Sequence, residues 1–335
     1  MPDHFTLSRR RALALGGAAL ATPMIANPAA AQGTRLRWAH VYEVAEPYHT
    51  EAVWAAREIA TRTAGRWNIE VFAASALGNE PQINQGLTLG TVDMIYTGVA
   101  FAGASYRPMA LSHAPYILRD YAHFQAYRAS ELHAELAAAY DRQTGHHALA
   151  LTYYGDRMVT ANRSILQPSD MRGLKLRLPQ APSFLMFARA VGANATPIAF
   201  AEVYLALQNG TVDAQENPLP TIQAKKFYEV QSHISLTHHI TDSLMTIVGA
   251  GTWRRLSAGD KVIFTEVLRQ AADRCGAAIR TQEQELAAWF RTQNKIVQEP
   301  DRAAFRAACV PLHNENTGWT RQMYDRLQAL QGQSA

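Results

Sequence analysis

Hydrophobic positions along the chain change period several times, and each change marks an element. Leu36 to His40 alternates as a first strand, and Glu46 to Arg62 carries apolar residues at Ala52, Val53, Ala56 and Ile59, the spacing of one helical face. Ile69 to Ala73 reads as a second strand. Leu77-Gly78-Asn79-Glu80 then opens a helix that closes at Gly90. Strand followed by helix, twice, predicts βα units of an α/β fold whose post-strand loops line a cleft. Glu43, His49, Glu80 and Tyr96 are therefore candidate cleft contacts from this first region, of which one or two are expected to touch ligand.

Beyond it, Tyr116 to Gly145 reads as helix with Leu132, Leu136 and Tyr140 on one face, and Ala148 to Tyr154 as a strand, the first crossing between domains, leading into Gly155-Asp156-Arg157. In Leu174-Lys175-Leu176-Arg177-Leu178-Pro179 three leucines alternate with two cations, so a short strand sends Arg177 to the face opposite the leucines. Pro179 ends it, since proline cannot donate to a sheet ladder. Arg177 thus stands at a strand end, where its planar fork can grip a carboxylate with two parallel hydrogen bonds. Arg157 is expected beside it, and two cations sharing one site call for an anion to complete it.

Short helices are expected over Pro182 to Ala190 and Ala201 to Gln208, with Phe200 at the approach to the second. Ser243 to Gly249 reads as a strand returning to the first region. From Ala258 to about Val297 a stripe through Phe264, Leu268, Ala271, Cys275, Ile279, Leu286 and Phe290 predicts a helix of about ten turns, long enough to lie against two domains. Arg302 to Ala308 and Asn316 to Leu330 look like closing helices. An internal echo, Leu89-Gly90-Thr91-Val92-Asp93-Met94 against Asn209-Gly210-Thr211-Val212-Asp213-Ala214, suggests two related halves, each with a helix closed by glycine and followed by a strand.

The block from Tyr154 to Ile240 resembles the DctP-like solute-binding proteins of tripartite ATP-independent periplasmic (TRAP) transporters. The likeness rests on Arg157 with Thr160-Ala161-Asn162, on Leu174 to Pro179, and on Ala199-Phe200-Ala201-Glu202-Val203-Tyr204. Gln215-Glu216-Asn217-Pro218 and Gln223-Ala224-Lys225-Lys226-Phe227-Tyr228-Glu229-Val230 complete it. A looser likeness runs from Leu36 to the last helix. The resemblance implies a two-domain periplasmic binding protein-like fold of type II, with a ligand cleft between lobes and the long helix spanning both. The lobes are expected at 32–153 plus 243–282 and at 154–242 plus 283–335. It also implies that Arg177 holds a ligand carboxylate, helped by Arg157 and Asn217; Phe200, lining the approach to its helix, and Tyr154 are further candidates for the cleft. The implied partners are an organic acid and a membrane permease of small and large subunits driven by an ion gradient, usually sodium, with no cofactor.

The first 31 residues read as an export signal. Ser8-Arg9-Arg10-Arg11-Ala12-Leu13 precedes a weakly apolar run, and Ala29-Ala30-Ala31 offers small residues for cleavage. The pattern is of the twin-arginine type, with the general secretory route the alternative, and the periplasm is the expected location. Removing Arg9, Arg10, Arg11 and Asp3 from a total of +4 leaves +2, which gives no case for nucleic acid as a partner. Cys275 and Cys309 are the only cysteines, and an oxidising compartment leaves a disulfide or two buried thiols equally open.

Enzyme motifs are not met. His146-His147 and His238-His239 are adjacent pairs without His-Glu-x-x-His spacing, and Gly103-Ala104-Ser105-Tyr106-Arg107 lacks the second glycine of a nucleophile elbow. An exported hydrolase or a sensor for a signalling receptor remain the competing classes. Among ligands, the acceptors Glu43, Glu80, His49 and Asn217 favour a hydroxyl-rich acid such as a hexuronate. Small hydroxy, keto or aromatic monocarboxylates, sialic acid and C4-dicarboxylates are the alternatives.

Overall fold

A computed structural model describes residue 1 and residues 33–315 and 318–331. The expected export signal lies outside the described residues. From Gly33 onward the chain forms one compact α/β unit. Its strands are β1 (Thr34–Ala39), β2 (Trp67–Phe72), β3 (Met94–Gly98), β4 (His147–Ala161), β5 (Lys175–Leu178), β6 (Asn194–Pro197), β7 (Ala214–Pro218), β8 (His233–Ser235), β9 (Thr241–Val248) and β10 (Ile296–Gln298). They hydrogen-bond in the order β2-β1-β3-β9-β4-β7-β5-β6, with β8 beside β4 and β10 beside β8.

Two strands join the halves of this sheet. β4 is 15 residues long and pairs with β9 from His147 to Asp156, then with β7 from Arg157 to Ala161. The strand expected over Ala148 to Tyr154 thus runs on through Gly155-Asp156-Arg157 to Ala161. Gly155 makes this continuity feasible, because its φ of 115° carries the backbone through a bulge between Tyr153 and Gly155 that few side chains tolerate. The long helix, Ala258–Thr292, packs along β4 on one side and on the helix Pro47–Arg62. It stops five residues short of the sequence expectation. Asn294 adopts a left-handed φ of 57° and turns the chain into β10.

The internal echo is structural as well as verbal. Gly90 and Gly210 have φ values of 74° and 73°. Asp93 accepts from the Arg37 amide at 2.9 Å and returns its own amide to the Arg37 carbonyl at 2.9 Å. Asp213 repeats both bonds with Lys175, again at 2.9 Å. Thus β1-β3 and β5-β7 are equivalent parallel pairs, and the Tyr96 and Gln215 strands occupy matching places.

One expected helix breaks. Tyr116 to Gly145 resolves into Tyr121–Arg128 and Glu131–Thr144, because Ser130 turns its hydroxyl to accept from the His133 amide and starts a new helix. Cys275 and Cys309 are free, buried thiols in two separate apolar clusters, so no disulfide joins them. Among the described residues no helix is long and apolar enough to cross a membrane.

Candidate ligand site

Arg177 lies on β5 between Leu176 and Leu178, all three buried. Its Nε and Nη2 both donate to the Ile198 carbonyl, at 3.0 and 2.7 Å. These bonds hold the guanidinium plane in one orientation. Its Nη1 is buried and has no partner. An unsatisfied charged donor in the interior costs about 1–3 kcal/mol or more, so this group is built to meet an acceptor. Burial pulls Arg177 down to about 10, against the opposing pull of Glu216, and it remains a cation at neutral pH.

Arg157, 1 % exposed, is already matched. Its Nε and Nη2 grip both oxygens of Glu216, its Nη1 donates to Asp242 Oδ2 at 2.9 Å, and its Nη2 also reaches Asn217 Oδ1 at 3.1 Å. His239 Nε2 stands 3.1 Å from Glu216 Oε2. Burial would raise the Glu216 carboxyl, but Arg157 and His239 outweigh it and hold it at about 2. Burial keeps the His239 ring neutral against the opposing pull of Glu216. The anion that two neighbouring arginines demand is thus supplied for Arg157 by the protein itself. For Arg177 it is not.

One cavity brings these groups together. Tyr42, Glu80, Tyr154, Arg157, Arg177, Phe200, Asn217 and Asp242 line it with His113, Phe101 and Phe184. The space between its lining atoms, open solvent included, is about 360 Å³. Phe200 places its ring centroid 5.9 Å from the Arg177 guanidinium carbon. Asn217 accepts from the Tyr154 hydroxyl at 3.3 Å and from Arg157, while its amide donates to Gln215 Oε1 at 2.6 Å. Glu80 takes the Gly98 amide at 3.3 Å. Burial raises Glu80 to about 7, with the Gly98 amide opposing.

Six sequence-predicted residues meet here: Arg177, Arg157, Asn217, Glu80, Phe200 and Tyr154. Three do not, and each has a structural reason. Tyr96 sits in the middle of β3 rather than in the loop after it, fully buried with its ring 4.9 Å from Trp38. His49 faces His40, ring nitrogens 3.2 Å apart, and Glu43 accepts from Lys225 Nζ at 2.7 Å. Sequence reasoning passed over Glu216 and Asp242 as site residues. Glu216 stood inside the quoted Gln215 to Pro218 motif. Asp242 is the second residue of the return strand, at its amino end, where the rule that ligands lie at the carboxyl ends of strands does not point. His113 gave no signal.

Comparison with known proteins supplies the family. Residues 38–317 match the family model described as DctP, bacterial extracellular solute-binding protein, family 7. The chain belongs to this DctP family. The sialic acid-binding periplasmic protein SiaP of Vibrio cholerae is 36% identical over 251 residues, covering 75% of this chain and 78% of the relative. Solute-binding protein RD1_1052 of Roseobacter denitrificans is 32% identical over 286 residues, covering 85% and 87%. The crystal structure of that protein with bound L-galactonate superposes with a TM-score of 0.84 at 29% identity, covering 89% of this chain and 99% of the other. A TRAP periplasmic solute-binding protein of Polaromonas bound to D-erythronate gives a TM-score of 0.85 at 29% identity, with the same coverage. The DctP chain described here therefore has the two-lobe α/β fold of TRAP solute-binding proteins, a family of transport proteins rather than enzymes.

Proposed function

We propose that the protein is the periplasmic solute-binding component of a TRAP transporter, capturing a sugar acid and delivering it to a permease of small and large membrane subunits. The unpartnered, buried Nη1 of Arg177 carries this reading, because a carboxylate is the acceptor that matches a fixed guanidinium edge. Arg157 acts one step back. With its charge already balanced by Glu216 and Asp242, it orients Asn217 and fixes the floor of the site.

Charge favours a single ligand carboxylate. Glu80, Asp242 and Glu216 face or flank the cavity and would repel a second one. Hydroxyl groups of the ligand find an acceptor in Glu80 and a donor in Tyr42, while Phe200, Phe101 and Phe184 cover its carbon chain. With Glu43 and His49 turned elsewhere, a hydroxyl-rich hexuronate has two fewer partners than expected. A shorter or acyclic sugar acid suits the lining better, in keeping with the D-erythronate and L-galactonate held by the two neighbours at 29% identity.

Closure is read as a hinge. Residues 33–153 with 243–282 form one lobe and residues from 154 to 242 with those from 283 onward the other, joined by β4, β9 and the long helix. Groups from both lobes line the cavity, so ligand stabilises the closed form by its differential affinity, and the permease meets a loaded shape.

The test is a thermal-shift screen of the exported chain against D-erythronate, L-galactonate, D-glucuronate, N-acetylneuraminate and succinate, with Arg177→Ala in parallel. A monocarboxylate hit raises the melting temperature of the wild type and not of the variant. A hit retained by Arg177→Ala, or a response to succinate alone, overturns the reading.

A further inference from the structure

The cavity holds more potential negative charge than its cations balance. Arg157 and Arg177 supply two positive charges; Glu216, Asp242 and Glu80 supply up to three negative ones. Glu216 and Asp242 each contact Arg157 directly. Glu80 contacts no cation: among the described residues its carboxylate has only the Gly98 amide, at 3.3 Å. A ligand carboxylate on Arg177 adds a further negative charge inside a small, partly apolar chamber. Uncompensated, that charge is expensive in a medium of low dielectric.

We propose that Glu80 absorbs this charge: as the acid binds at Arg177, one proton from solvent passes to Glu80, and the loaded cavity contains Glu80 as a neutral carboxylic acid. The exchange balances, one anion and one proton entering together, and leaves the cavity's net charge unchanged. The inference rests on the carboxylate-binding role of Arg177 proposed above. Glu80 then becomes a hydrogen-bond donor toward the ligand instead of an acceptor only, so it also reads which ligand oxygen lies opposite it.

The groups facing Glu80 make it the receiving site. From β9 comes Asp242, a like charge that disfavours ionisation of Glu80. From β5 and β4 come Arg177 and Arg157, which favour it, but the first is to be occupied by ligand and the second is held by Glu216 and Asp242. Tyr42 shares the cavity and stays neutral, its hydroxyl pushed well above the usual range by burial. His113 also lines it, and burial depresses that ring to about 4 despite Asp242 beside it. On its own element Glu80 is the first residue of the helix Glu80–Leu89, whose N-terminus favours the anion. Burial outweighs the Gly98 amide and leaves Glu80 poised at about 7 before the ligand arrives. A new anion nearby can only raise it.

Calorimetric titration of the acid that scores in the thermal screen, in buffers of different ionisation enthalpy, counts the protons. Uptake rises from near zero at pH 6 toward about one per ligand at pH 8, and the Kd weakens by up to about tenfold per pH unit above pH 7, although a sugar acid is itself fully ionised there. In Glu80→Gln both the uptake and the pH slope disappear, whatever the variant's Kd. No uptake in the wild type, or an equal slope in Glu80→Gln, overturns the proposal while leaving the Arg177 reading intact. A second measurement needs no ligand. The carboxyl carbon of Glu80 in the free protein, followed by NMR and assigned with Glu80→Gln, titrates near 7; titration in the ordinary glutamate range would sink the idea.

Discussion

The carboxylate of Glu283, on the long helix, accepts 2.7 Å from the backbone amide of Asp156 and 2.9 Å from the Tyr153 hydroxyl. It thereby clips the helix to the bulge of β4 at the point where that strand leaves β9 for β7. Gly155 fits between them only because it lacks a side chain. A Cβ there would lie 2.8 Å from Pro218 Cβ and 3.0 Å from Glu283 Oε1, at a φ of 115°. Gly155→Ala is expected to destabilise the protein by roughly 2–3 kcal/mol, combining a strained backbone with a displaced clip, measured by urea unfolding. Unchanged stability would mean that the bulge is not clamped.

The two arginines of the site should respond in opposite ways to the same substitution. Arg157→Met strands Glu216 and Asp242 as buried anions and should cost about 3–5 kcal/mol of stability. Arg177→Met removes an uncompensated buried cation whose one acceptor is the Ile198 carbonyl. Its effect on stability should stay within about 1 kcal/mol while carboxylate binding is lost. Denaturant midpoints and calorimetric titration on both variants separate the roles.

Glu46 gives a pH signature of folding. It is 1 % exposed, accepts from the Glu43 amide at 2.7 Å and the Thr221 hydroxyl at 2.8 Å, and is raised by burial to about 7. A raised carboxyl binds more protons in the folded than in the unfolded chain between its ordinary value and 7. Its contribution is therefore present at low pH and declines as pH rises through that window. Glu46→Gln drops the charge and keeps one of the two acceptor oxygens. The variant should gain on the wild type by about 1–3 kcal/mol between pH 4.5 and pH 8, followed by urea midpoints across that range. A difference independent of pH would contradict the assignment.

Both thiols are buried, and burial pushes both up, Cys309 to about 12. Ellman's reagent should find neither in the native protein and two after unfolding, and dithiothreitol should leave the melting temperature unchanged. One thiol or none after unfolding would contradict the free state.

Much of the fold was legible because its signals are local. Leu174 to Pro179 announces a strand by alternation, the long helix by its stripe, and Gly90 with Gly210 by the residues that close a helix. Arg177 was legible from its place beside a strand end, and Tyr154 and Arg157 from the motifs around them, although both lie inside β4. What stayed hidden depends on partners distant in sequence. Nothing near Arg157 says that Asp242, 85 residues away, will neutralise it. Nothing near Tyr96 says that Trp38 will claim its ring. A one-residue difference in where a strand ends decides whether a side chain meets ligand or core, and periodicity does not resolve boundaries that finely.

The paired bonds from Arg177 to the Ile198 carbonyl also bear on affinity. A free arginine side chain samples many rotamers, and fixing it on binding forfeits about 2 kcal/mol of entropy. Here that ordering happens when the chain folds, with the guanidinium edge already aimed before any ligand is met. Capture then spends its free energy on the lobes and the ligand alone, which corresponds to roughly a thirtyfold gain in affinity over a mobile arginine making the same contact.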